Sequence, residues 1–121
     1  MTHVLTIPDW RPATCNELLG HWRASARRKK ADRNVVFVYS FLAGTPKATG
    51  KRRVDILVRP AKGHRRVDGD ALWKSTLDAL KHAELIVNDT VDLCRPGVYT
   101  PTLDGPPRTE IHLTDLEESI A

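Results

Sequence analysis

The sequence predicts a single α+β domain, a mixed sheet of about four strands with two principal helices. Three observations predict it. The chain has 121 residues of which 40% are hydrophobic, enough for one compact domain over residues 1–121 but not for two. Short β-rich runs with alternating apolar residues stand near both ends and in the middle. Between them lie two longer stretches in which apolar residues recur at helical spacing; the Pro/Gly break "GTPKATG" follows the first, and "PTLDGPP" joins the last two strands.

The first run, "HVLTI" at residues 3–7, reads as a strand stopped by Pro8 and Pro12. Asn16 is placed to cap a short turn after it. From about Ala24 to Ala43, Ala31, Val35, Val38 and Leu42 recur as one helix face, and Gly44 to Pro46 end it. The β-branched and aromatic run "VVFVY" lets a strand compete there, but length favours the helix. "RRVDILVRP" then alternates Val54, Ile56 and Val58 on one face and ends at Pro60, a second strand. A helix follows from about Gly69 to His82. "VDLCRPGVYT" and "RTEIHLTDL" read as the last two strands, and "LEESIA" as a frayed end.

Net charge is +4, but base and acid are segregated. Residues 1–66 hold 15 Lys and Arg against 4 acids, and residues 67–121 hold 4 against 11. Basic runs at Arg27, Arg28, Lys29 and Lys30, at 51–53, and at Arg65 and Arg66 fit contacts to a polyanion, because each neutralised phosphate releases condensed counterions. Nucleic acid is therefore the leading partner, with solvated surface charge as the plain alternative. Cys15 and Cys94 form no Cys-x-x-Cys pair and have no evident His partner, so they read as core thiols of a reduced, cytoplasmic protein. No run approaches the roughly 18 apolar residues that a membrane span needs, and no signal-peptide pattern opens the chain. The five histidines are scattered at no ligand spacing, and Trp10, Trp22 and Trp73 read as packing residues before stacking ones.

The acids of the second half concentrate in "RRVDGDALWKSTLDALKHAELIVNDT", residues 65–90. At about 100° per residue, Lys74 and Asp78 fall within about 80° of Asp70, while Leu72, Thr76, Ala79, Leu80 and Ala83 cluster on the opposite side. The plainest reading is capping: Asp68 precedes the helix and Asp70 lies in its first turn, where unpaired N–H groups and the positive dipole end favour a carboxylate. A second reading needs Asp89. The helix carries Asp70 about 18 Å from His82, and seven extended residues at about 3.3 Å each can bring the chain back through the apolar run "ELIV". Three converging carboxylates would repel one another without a cation, and hard oxygen ligands suit Mg²⁺ or Mn²⁺. That set suits phosphodiester hydrolysis, with Lys74 meeting charge on the phosphate. Asp78 reads as an i, i+4 support for Lys74. Asp92, Asp104 and Asp115 read as surface acids.

The same stretch resembles the RusA family of Holliday-junction resolvases, whose pattern is an Asp-x-Asp, a Lys four residues after the second Asp, an Asp-Ala-Leu, and an acidic pair after a short apolar run. The likeness covers about 30 residues well, and "LTIPDWRPATCNELL" is similar more weakly to the family's first strand and the Asn-containing loop after it. The resemblance implies that Asp68, Asp70 and Asp89 are catalytic and hold the metal, that Lys74 assists, and that Arg65 and Arg66 touch DNA. It implies a Mg²⁺-dependent homodimer that nicks opposing strands of a four-way junction in recombination and repair, commonly phage or prophage encoded. The chain departs from the family pattern at Ala71, where an Asn is usual, and at Asn88, where the family has a second Asp.

Overall fold

The computed structural model describes residues 1–19, 22–61, 69–88 and 93–116, the side chains at 15, 16, 69 and 70 excepted. Its elements follow the order β1 (Thr2–Pro8), α1 (Cys15–Leu18), α2 (Trp22–Ala43), β2 (Arg52–Arg59), α3 (Gly69–His82), β3 (Cys94–Pro101) and β4 (Arg108–Asp115). This is the predicted α+β class: one mixed sheet in the order β1-β4-β2-β3 with two principal helices. β4 lies antiparallel to both β1 and β2, and β3 lies parallel to β2.

Alternation sets one face of the sheet inward. Leu5 and Ile7 of β1, Val54, Ile56 and Val58 of β2, and Ile111 and Leu113 of β4 are all buried, with their neighbours facing solvent. Val36 of α2 and Leu72, Ala79 and Leu80 of α3 complete the core. Cys94 is buried there too, as expected of a core thiol, while the Cys15 side chain lies outside the described residues.

The two helices end in the same way. Thr45 N donates to Ser40 O and Gly44 N to Phe41 O, the paired closure in which a left-handed residue satisfies the last carbonyls. Gly44 takes φ 65° there at no steric cost. In α3 Leu85 N donates to Leu80 O and Glu84 N to Lys81 O, but the left-handed position is filled by Glu84 at φ 62°. The Glu84 carboxylate pairs with Lys47, and its carbonyl accepts from Ala48 N.

The helical face of α2 differs from expectation. Its buried residues are Asp32, Val36 and Ser40, whereas Ala31, Val38 and Leu42 are exposed and Val35 is only partly covered. Apolar side chains occupy four consecutive positions at 35–38, so spacing alone left the phase of the helix open. The core takes Val36 and turns Phe37, Val38, Phe41 and Leu42 outward.

β2, α3 and β3 form a strand-helix-strand unit, the crossover that a parallel pair requires. The end of α3 and the start of β3 are tied to one residue. Arg52, 2% exposed at the start of β2, donates from NH1 to Leu85 O and Pro46 O, and its backbone N donates to Leu93 O. Its Nε donates to Asp115 at 2.7 Å, so Asp115 is an anchoring carboxylate rather than a mere surface acid.

Candidate functional site

α3 is positioned by what lies beneath it. Leu72, Thr76, Ala79, Leu80 and Ala83, the face expected from the sequence, are all buried. Thr76 Oγ1 donates to Leu72 O within the helix, while Ser75 Oγ donates to Ala13 O in the segment after β1. That segment is in turn held by Asp32, 3% exposed on α2, whose carboxylate accepts from Ala13 N at 3.0 Å, Trp10 Nε1 at 3.2 Å and Arg28 Nε at 3.0 Å. Asp32, Ala13 and Ser75 thus link α2, the 10–14 segment and α3. The sequence reading assigned Asp32 no role; the signal was an acid flanking the apolar positions of α2 within an otherwise basic half.

Lys74 stands exposed beside Ser75. It lines a cleft of ≈ 190 Å³ together with Lys29 and Asp78, closed by Leu18 and Leu19 at the end of α1. Two lysines expected in separate roles, catalysis for Lys74 and DNA contact for Lys29, therefore share one cleft. Asp78 is engaged differently from expectation. It pairs with Arg33 of α2, Oδ2 accepting from Nε at 2.9 Å and Oδ1 from NH2 at 3.1 Å, rather than supporting Lys74. The Arg33 guanidinium holds the Asp78 carboxyl below the usual carboxylate range, with smaller help from Lys29 and His82. This two-pronged pair, with both groups well exposed, fixes the spacing of α2 and α3 more than it stabilises them.

Of the remaining basic residues, Arg27, Lys29 and Lys30 are exposed on α2. Arg28 is committed elsewhere: besides Asp32 it donates from NH2 to Arg11 O, and its NH1 lies 3.6 Å from Glu17. Arg27 lies beside Trp22, which is 70% exposed, with Arg23 stacked 5.2 Å from the ring centroid. Trp10 and Trp73 pack against the core.

Asp68, Asp89, Arg65 and Arg66 lie outside the described residues, as does the Asp70 side chain, although the backbone at 70 is in the first turn of α3. Asp92 and His64 lie outside them as well. Among the described residues no three His, Cys, Asp or Glu side chains stand together in a way that could hold a metal ion. No helix among them is long and apolar enough to cross a membrane. No family model matches the chain, and no curated protein matches it.

Proposed function

We propose that the chain is a metal-dependent, structure-selective endonuclease that cuts four-way DNA junctions, a RusA-like resolvase. The observation that carries this reading is the shared cleft of Lys74 and Lys29 on the side of α3 one turn after Asp70. A helix whose first turn carries Asp70 and whose second presents a lysine into a basic cleft can bring a phosphodiester to a metal site. The sequence resemblance at 65–90 supports the same residues.

The donor set fits a hard divalent cation: Asp68, Asp70 and Asp89 are three carboxylates with no soft ligand among them, suited to Mg²⁺ or Mn²⁺. When bound, the metal supplies Lewis acidity toward a phosphate oxygen and an activated water. Lys74 places its ammonium where charge grows on the phosphate as one P–O bond forms and another breaks. Lys29 holds the flanking backbone, with Arg27, Lys30, Arg65 and Arg66 extending the basic surface.

The same reading takes the protein as a homodimer, each protomer presenting one site to one strand. Phe37, Val38, Phe41 and Leu42, uncovered on two successive turns of α2, support a second copy against that face.

The experiment is incubation with a labelled four-way junction and a matched linear duplex, in Mg²⁺ or in EDTA. Paired nicks in the junction alone, only with Mg²⁺, are expected. Salt-sensitive binding to an intact junction under all conditions would replace the enzyme with a non-catalytic DNA-binding relative, a reading that the departures at Ala71 and Asn88 favour.

A further inference from the structure

At the other side of the 10–14 segment, three strand ends meet the two N-terminal helices around a cavity of ≈ 380 Å³. Trp10, Arg11, Glu17, Arg28, Arg59 and Pro107 line it. Its charges are unequally satisfied. Glu17 accepts from Arg11 NH1 at 2.7 Å, and Arg28 spends its Nε on Asp32 and its NH2 on Arg11 O. Both carboxylates near these arginines are therefore engaged, and Arg11 draws the Glu17 carboxyl down to about 2, so it stays ionised and paired. Asp9, the remaining acid of the lining, stands exposed at the rim.

Arg59 has no such partner. Among the described residues it pairs with no carboxylate and its buried Nε meets no acceptor, while NH1 donates to Pro60 O. Directly across the ladder stands Arg108, another cation, which turns to Glu110. A permanently charged guanidinium that no carboxylate among the described residues neutralises, and that lines a cavity, favours an acceptor of opposite charge there. The donors that Arg59 does not spend on Pro60 O suit a phosphate oxygen, and the Arg11 side chain lines the same space. The cavity falls within the roughly 300–1,000 Å³ typical of small-molecule sites, and the Trp10 indole with the Pro107 ring gives it an apolar wall.

We propose that this cavity is a phosphate-binding pocket, separate from the Lys74 cleft, that takes the phosphate of a nucleotide on the guanidinium of Arg59, with Arg11 beside it. The inference stands without the junction-cleavage reading, because it needs neither metal nor hydrolysis.

The test uses the 121-residue chain in EDTA, so that the nuclease reading is not engaged. Arginine Nε–Hε signals are followed by ¹⁵N NMR during titration with inorganic phosphate, with deoxyadenosine 5′-monophosphate, with a short single-stranded oligonucleotide, and with sodium chloride at matched ionic strength. A saturable shift of the Arg59 signal with the nucleotide, absent with chloride, is expected. Arg59→Met should weaken binding, read at Trp10 Nε1–H, by at least about tenfold, and Arg59→Lys by less. Stronger binding of the monophosphate would assign the pocket to free nucleotides, stronger binding of the oligonucleotide to a nucleotide within a strand. Because Arg59→Met removes an unmatched donor, its melting temperature should not fall. The wild-type titration decides the matter even if that variant folds poorly. An Arg59 signal unmoved by every phosphate probe, or moved equally by chloride, overturns the proposal; response to inorganic phosphate without response to the nucleotide overturns the nucleotide assignment.

Discussion

Replacing Asp32 with Ala removes the acceptor on which the 10–14 segment hangs. Three donors lose their partner: Ala13 N–H, Trp10 Nε1–H and Arg28 Nε–H. Arg28 is the least affected, because its NH2 keeps Arg11 O and its NH1 lies near Glu17. The two neutral donors are left buried or half-buried, at about 1–3 kcal/mol each. With the lost packing, about 3–5 kcal/mol is expected, a large part of the roughly 5–15 kcal/mol by which such domains are stable. Asp32→Asn keeps one acceptor oxygen but turns an amide donor toward a second donor, so it should cost less than Ala and more than nothing. The assay is urea unfolding followed by far-UV circular dichroism, with slopes compared to confirm a shared unfolded state. Loss of less than about 1 kcal/mol in Asp32→Ala would show that the carboxylate does not hold the segment. Because Ala13 O in turn accepts from Ser75, the same variant should also displace α3 and slow cleavage.

Other expectations follow from particular contacts. Gly97 sits at the irregularity between β2 and β3, where a Cβ would lie 2.0 Å from Asp55 Oδ1, an atom that accepts from Val98 N at 2.6 Å. Gly97→Ala should therefore cost about 1–3 kcal/mol in a urea melt. Glu17 has a folded-state pKa below its ordinary 4.5, so its pairing stabilises fully above 4.5 and is lost as pH falls toward about 2. Arg11→Met should flatten the loss of stability across that window, read as urea midpoints against pH. Glu84→Gly relieves a left-handed backbone position and should raise the melting temperature despite losing the contact to Lys47. Lys74→Ala, on an exposed side chain, should leave the melting temperature unchanged while slowing junction cleavage by about 10²–10³-fold.

The buried face of α3 was legible because its apolar residues fall on one side at helical period with charges opposite. The strands were legible because Val54, Ile56 and Val58, and Ile111 and Leu113, alternate cleanly. α2 was legible as a helix but not in phase: its interior positions hold Asp32, which only tertiary partners make acceptable there, and Ser40, whose hydroxyl donates to Phe37 O within the helix. Asp78 was assigned to a neighbour four residues away because local spacing shows only local partners, whereas its partner Arg33 is 45 residues earlier. The arginine-lined cavity left no local trace either, since Arg11 after β1, Arg28 of α2 and Arg59 at the end of β2 meet only in the fold. Lys29 and Lys74 were each singled out by type and position, but their sharing of one cleft depends on how α2 crosses α3.

The most direct test compares wild type with Asp70→Asn under single-turnover conditions on a four-way junction in Mg²⁺, with binding measured on the same samples. A metal-holding Asp70 predicts junction affinity close to wild type with cleavage lost in the variant. Equal cleavage by both proteins, or none by either, would contradict it.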